Sequence, residues 1–116
     1  MRDEVAKFLY DVEKACALVA EFTRSKSLSD FTSDTMLRSA VERQFITVGE
    51  ALTEARKLDA ATIGSITSVV KIIGFRNVLV HGYEIVKPAR VWSVIEWDME
   101  TLRSEVQTLL ATADPL

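Results

Sequence analysis

Residues 69–83, VVKIIGFRNVLVHGY, decide how this chain folds. Apolar residues recur through this stretch and the turns before it at helical spacings, and they fall on two arcs of one helix wheel. One arc holds Ile63, Ile66, Val69, Val70, Ile73 and Val80, and the other holds Ile72, Phe75, Val78 and Leu79. The pattern predicts a helix over residues 60–81, with Gly82 as its stop signal. A helix that is apolar on two sides is buried on two sides.

The second apolar side of this helix needs a cover, because a small bundle rarely buries one helix completely. A second copy of the chain is the simplest candidate for that cover. The alternative is a helix wrapped by its own neighbours. The pattern favours a homodimer that forms through the helix at residues 60–81.

The rest of the sequence is also helical in pattern, which predicts an all-α fold, an up-down bundle of four to five helices. Helix one is expected over residues 3–25, followed by a connector at residues 27–30. Helix two is expected to begin at Ser33 or Asp34, since either side chain can act as an N-cap, and to end near residue 57. The last helix is expected over residues 88–111, with Pro88 in its first turn and a bend near Trp97 and Asp98.

Size and composition predict one soluble globular domain over residues 1–116. The chain has 116 residues, of which 48% are hydrophobic and 27% charged, which is ordinary for such a domain. Cys16 is the only cysteine, so no disulfide forms within the chain and a reducing compartment is favoured. No signal-peptide pattern and no apolar run of membrane-spanning length is visible, so a cytoplasmic location is expected.

A cluster of chemically useful side chains lies at the end of the stretch quoted above. His81 is the only histidine, and histidine is the side chain best suited to moving a proton near neutral pH. Arg76 can neutralise phosphate oxygens, Asn77 can orient a neighbouring group, and Tyr83 adds a phenol. This set fits work on a phosphate ester. A histidine that only stabilises a helix C-terminus is the plainer alternative.

Helix geometry limits how these side chains combine. Asn77 and His81 are four residues apart, so they share a helix face and Asn77 could hold the imidazole in one tautomer. Arg76 and His81 are about 140° apart on an ideal helix. Those two share a ligand only if the helix end distorts or the long arginine reaches round.

The basic residues are concentrated around the histidine. Residues 71–90 contain Lys71, Arg76, Lys87 and Arg90 against the single acid Glu84, a local charge of +3. The whole chain carries −3, so the remainder carries −6. This distribution does not fit a general nucleic-acid coat, but it fits a local site for one phosphodiester or nucleotide. Lys71, Lys87 and Arg90 are therefore the predicted substrate-binding residues.

Other chemistries have little support in the sequence. A di-metal bundle needs Glu-x-x-His pairs, but the residue three before His81 is Val78. A zinc site needs several cysteine or histidine ligands, and the chain has one of each. No phosphate-binding P-loop, dinucleotide fingerprint or Gly-x-Ser-x-Gly elbow is present. We therefore expect neither a metal nor an organic cofactor.

Two segments resemble one known family. Arg76, Asn77, His81 and Tyr83 match an Arg-x4-His-x-Tyr signature with a polar residue after the arginine. The segment Val41-Glu42-Arg43-Gln44-Phe45-Ile46-Thr47-Val48-Gly49-Glu50-Ala51 is similar to a Glu-Arg … Gly-Glu-Ala block on the preceding long helix. With both blocks in order, the chain resembles HEPN-domain proteins of the HepT type over essentially its whole length. These are toxins of HEPN/MNT (type VII) toxin–antitoxin modules.

The resemblance implies a HEPN-like bundle that dimerises and brings two signature segments into one cleft. It implies metal-independent endoribonuclease activity, with Arg76 and His81 as the catalytic pair and Asn77 in support. It also implies a minimal nucleotidyltransferase antitoxin as partner, which would transfer AMP onto Tyr83 and silence the toxin.

Two questions stay open at the level of sequence. The same motif fits a non-enzymatic subunit that binds a nucleotide or acts as an adaptor in a nucleotidyltransferase complex, and a plain helical scaffold is a weaker third possibility. Glu42, Arg43 and Glu50 fit a solvated helix face about as well as a place in the cleft or at the antitoxin contact.

Overall fold

The computed structural model describes residues 1–82 and 86–112, and its regular structure in these ranges is entirely α-helical. Seven helices follow one another in the described ranges: α1 (Asp3–Thr23), α2 (Leu28–Ser33), α3 (Thr35–Leu58), α4 (Ala60–Gly64), α5 (Val69–His81), α6 (Pro88–Trp97) and α7 (Met99–Thr112). The all-α prediction is confirmed. No helix in the described ranges is both long and apolar enough to cross a membrane.

The two longest helices, α1 and α3, pack along each other and form the centre of the bundle. Helix α5 packs on α3, α7 packs on α1, and the short α2 contacts α6. The apolar stripes predicted for α1 and α3 supply much of the core. Their fully buried members include Val5, Leu9, Val12, Cys16 and Val19 of α1 and Val41, Phe45, Val48 and Leu52 of α3.

The segment expected to be a connector contains a helix of its own. The Ser27 hydroxyl accepts a hydrogen bond from the Asp30 amide at 3.1 Å, and the Asp30 carboxylate accepts one from the Ser27 amide at 2.9 Å. This reciprocal capping box starts α2. Phe31 anchors the helix by packing against Trp92 of α6, with ring centroids 5.4 Å apart. Asp34 then caps α3 through the Leu37 amide, which confirms one of the two predicted caps.

The single helix predicted over residues 60–81 is wrong, because the chain breaks between α4 and α5. The Thr67 amide donates to the Glu105 carboxylate of α7 at 3.1 Å instead of to a carbonyl one turn back. The Thr67 hydroxyl donates to the same carboxylate at 2.6 Å. A long-range partner thus replaces local helical hydrogen bonds at this point, which apolar spacing alone does not reveal. The predicted bend in the last helix is confirmed as a break at Asp98.

Candidate active site

Arg76 lies where α5 crosses α3, opposite Gly49. A Cβ built on Gly49 would lie 2.2 Å from the Cβ of Arg76 and 2.6 Å from its Cγ. Both distances are far below van der Waals contact, so the two helices can approach this closely only if residue 49 has no side chain. The glycine in the Gly-Glu-Ala block therefore sets the position of the arginine in the Arg-x4-His segment.

Hydrogen bonds on two sides orient the Arg76 guanidinium. Its Nη2 donates to Glu50 Oε1 at 3.3 Å, which also makes an ion pair between α5 and α3. Its Nη1 donates to Asn77 Oδ1 at 3.0 Å. The buried Nε–H has no hydrogen-bond partner among the described residues. A guanidinium carries five N–H donors, so with two engaged and the Nε–H buried, two remain for a ligand.

A cleft of about 570 Å³ opens beside Arg76 between α3 and α5. Its lining consists of Glu50, Thr53, Glu54, Arg56, Lys57, Ile73, Arg76 and Asn77. Three cations against two carboxylates give this lining a charge of +1. The volume is that of a small-molecule site rather than a single ion.

His81 does not face this cleft. It is the exposed last residue of α5, and the helix stays regular to its end, since the Gly82 amide donates to the Val78 carbonyl at 2.8 Å. Gly82 has φ −118°, so no left-handed turn redirects the chain there. The distortion that would let Arg76 and His81 share a ligand within one chain is therefore not observed. The two side chains leave α5 about 140° apart.

Asn77 is paired with the arginine rather than with the histidine. Its carbonyl oxygen accepts from Arg76, and no hydrogen bond joins it to His81. Asn77 and His81 do share the outward face of α5, as predicted. The same face carries Val70, which is 74% exposed, and Gly74, where an added Cβ would meet nothing within 4 Å. These four residues form an outward stripe at i, i+4, i+7 and i+11.

The burial of α5 corrects the two-arc prediction. Ile72, Phe75 and Leu79 of the second arc are buried against the chain's own helices. On the first arc, Val70 is largely exposed and Val80 is 36% exposed. The uncovered surface of α5 is therefore a mixed stripe of small, apolar and polar residues rather than a second fully apolar face.

The predicted substrate-binding residues do not line the cleft. Lys71 pairs with Asp98 at the α6–α7 break, with Nζ and Oδ2 2.7 Å apart. Lys87 is the exposed N-cap residue of α6, and the Arg90 guanidinium lies 5.9 Å from the centroid of the Phe75 ring. The basic island is thus distributed around α5 and the start of α6.

The sequence analysis also singled out Tyr83 and the block residues Glu42, Arg43 and Glu50. Tyr83 lies outside the described residues. Burial raises the pKa of the Glu42 carboxyl above its ordinary value, an effect that the nearby Arg38 charge opposes. Arg43 is exposed, and Glu50 is the one acid of that block that contacts Arg76.

The sequence analysis missed Arg56 and Thr53. Both lie on the stripe of α3 that begins at Gly49, Thr53 at i+4 and Arg56 at i+7, so the spacing could have placed them beside the glycine of the family block. In the described part of the chain, no group of three His, Cys, Asp or Glu side chains is placed to hold a metal ion.

Comparison with known proteins adds a family to this geometry. The family model described as "Ribonuclease HepT-like" matches residues 12–109. The candidate RNase MJ1380 of Methanocaldococcus jannaschii is 28% identical over 106 residues, which cover 90% of this chain and 94% of that protein. The candidate RNase MJ1216 of the same organism is 22% identical over 107 residues, covering 92% and 88% of the two chains.

A third relative from that organism is longer than this chain. It is named as a gamma-glutamylcyclotransferase and candidate RNase, MJ0434, and is 25% identical over 114 residues. The match covers 98% of this chain but 51% of that protein. No solved structure matches the chain.

Proposed function

The chain belongs to the HepT-like ribonuclease family, and we propose that it is a metal-independent endoribonuclease that works as a homodimer. One observation supports the proposal of a homodimer. The two side chains suited to phosphate chemistry, Arg76 and His81, lie on different faces of α5 within one chain. We infer that a second copy docks on the outward stripe, so that one protomer's His81 comes near the cleft of the other.

The chemistry of RNA cleavage also favours such a pair. In metal-independent RNA cleavage, a base takes the proton of the ribose 2′-hydroxyl, whose oxygen attacks the phosphorus. The bond from phosphorus to the 5′-oxygen breaks, and an acid gives that oxygen a proton. One chain offers one histidine, whereas a symmetric dimer offers two imidazoles, and its two guanidiniums stabilise the charge on the phosphorane oxygens.

Glu50 and Asn77 act in this proposal as positioning residues for Arg76. Together they occupy two of its five donors and leave one N–H on each Nη atom for phosphate oxygens. The Glu50 carboxylate is 54% exposed, so the ion pair adds little stability and a phosphate can compete with it.

The outward stripe is suited to close helix–helix contact. An exposed glycine inside a helix costs about 1 kcal/mol relative to alanine. Gly74 carries that cost with open space above it, and the exposed Val70 lies one turn away. Both features fit a second α5 approaching on this side, with Asn77 and His81 at the edge of the contact.

The direct test is cleavage of single-stranded RNA by the purified chain beside its His81→Ala variant. We expect the variant to remain a folded dimer and to lose at least about 100-fold in cleavage rate. The parent should cleave equally well in EDTA. If His81→Ala cleaves RNA at the parental rate, the histidine takes no part in the mechanism. Strict loss of activity in EDTA would point to a metal mechanism.

A second pair of variants tests the dimer. Val70→Glu places a charge in the proposed interface, so the protein should elute as a monomer in size-exclusion chromatography and should no longer cleave RNA. Met36→Glu is the matched control, since Met36 is 82% exposed and lies on α3 away from the stripe. A Val70→Glu protein that remains dimeric and active would place the interface elsewhere.

We further propose that the ribonuclease is the toxin of a toxin–antitoxin module, neutralised when a minimal nucleotidyltransferase transfers AMP onto Tyr83. Tyr83 directly follows Gly82 and is two residues from His81, so an added nucleotide would bring bulk and negative charge to the edge of the site. Co-expression with such a partner should add the mass of AMP units to the chain. The Tyr83→Phe variant should show no added mass, and a modified Tyr83→Phe protein would rule out this tyrosine.

The alternative function is a subunit that binds a nucleotide without cutting RNA. Within one chain, Glu50 and Asn77 hold Arg76 while His81 lies on another face of α5. This arrangement fits a site that binds a nucleotide without a histidine beside it. A purified dimer that binds nucleotides but leaves RNA intact would favour this alternative.

A further inference from the structure

We propose that Arg56 binds a second phosphate of the RNA strand, next to the phosphate that is cleaved. This inference rests on the proposed ribonuclease function, because it extends the cleft beside Arg76 into a path for the substrate. It assigns a binding role to a residue of α3 that lies outside both signature blocks.

The pairing of charges in the cleft singles out Arg56. Of the three cations in the lining, Arg76 pairs with Glu50 at 3.3 Å and Lys57 pairs with Glu54 at 2.7 Å. Arg56 has no carboxylate within ion-pair distance among the described residues, although it is half-buried. The net charge of +1 in the lining therefore belongs to this guanidinium.

A half-buried arginine without a counter-ion attracts an anion, and the planar fork of its guanidinium suits two phosphate oxygens at once. Burial fixes part of the side chain in advance, so less conformational entropy is lost when a ligand binds. The cleft is also too large for a bare ion, and the apolar Ile73 side chain forms part of its wall. These features together fit a nucleotide unit rather than free phosphate.

The position of Arg56 separates it from the scissile phosphate. It is seven residues after Gly49 on α3, which corresponds to about 10 Å along the helix. Gly49 marks where Arg76 crosses α3. Arg56 therefore reaches a neighbouring phosphate, and the RNA strand runs along α3 toward its C-terminal end.

The experiment measures the affinity of the dimer for a short single-stranded 2′-O-methyl RNA, which lacks the attacking hydroxyl, over a range of salt concentrations. Arg56→Ala should weaken binding roughly tenfold at low salt. It should also reduce the slope of log K against log salt concentration by about 0.7, the value for one phosphate contact on a single strand. Arg56→Lys should keep the slope, because the charge remains, while it loses part of the affinity.

Arg24→Ala is the matched control, since Arg24 is an exposed arginine at the end of α1, near the other end of α3. It should change neither affinity nor slope. Thermal melting of each variant checks the fold, and Arg56→Gln, which also removes the charge, serves as the test if the alanine variant does not fold.

The outcomes separate this inference from the proposed function. If the parent cleaves RNA and Arg56→Ala binds with parental affinity and slope, the subsite is wrong and the ribonuclease proposal stands. If Arg56→Lys lowers the slope as much as Arg56→Ala does, the effect is not one of charge and the inference is also wrong. If the parent neither binds nor cleaves RNA, the subsite and the proposed function both fail.

Discussion

Replacing Gly49 with alanine tests the helix crossing on which the candidate site depends. The new Cβ would lie 2.2 Å from the Cβ of Arg76, at the root of that side chain where no rotamer change can relieve the contact. Forcing one methyl group into a packed contact costs about 1–3 kcal/mol. Alanine recovers up to about 1 kcal/mol through its higher helix propensity. The net expectation is a loss of about 1–2 kcal/mol, or roughly 5 °C in Tm.

The assay combines thermal unfolding with RNA cleavage at one protein concentration, since the Tm of the proposed dimer would depend on concentration. Because α5 must move away from α3, Arg76 shifts relative to Glu50, and cleavage should fall by at least about tenfold. Gly64→Ala is the control, since an added Cβ there meets nothing within 4 Å, and its stability should not fall. A Gly49→Ala protein with parental Tm and parental cleavage would refute the argument.

Three other predictions follow from the same structure. Glu50→Ala should leave the free energy of unfolding within about 1 kcal/mol of the parent, because the ion pair is exposed. It should nevertheless lower kcat about tenfold by releasing Arg76, with Glu50→Gln in between, and an unchanged kcat would contradict the positioning role of Glu50. Burial raises the pKa of the Cys16 thiol to about 12, and the nearby charge of Glu13 adds to this effect. Iodoacetamide at pH 8 should therefore alkylate Cys16 only after the protein is unfolded in urea. Rapid labelling of the folded protein would contradict the buried position of Cys16. Burial raises the pKa of Glu42 above its unfolded value, so protonation of this carboxyl favours the folded state, and the stability that it contributes is lost as pH rises through the folded pKa. Glu42→Gln should therefore raise Tm at pH 7 and raise it less at pH 4. An equal gain in Tm at both pH values would exclude ionisation of Glu42 as the cause.

The sequence by itself determined the helical class and most helix boundaries. The Asp34 cap, Pro88 and the break near Asp98 are local signals, and each was found where it was predicted, whereas apolar spacing missed the break between α4 and α5. Local signals also identified the cluster of side chains suited to phosphate chemistry around His81. They succeed because helix periodicity and capping involve residues within about one turn of each other.

Only the tertiary structure decided which of those residues meet. The break between α4 and α5 depends on Glu105, which is 38 residues from Thr67 along the chain. The pairing of Arg76 with Glu50 spans 26 residues and depends on how closely α5 approaches α3 at Gly49. A helix wheel shows which direction a side chain takes from its own axis. The neighbouring helix on that side, and its distance, follow from the packing of the whole bundle, which one helix does not encode.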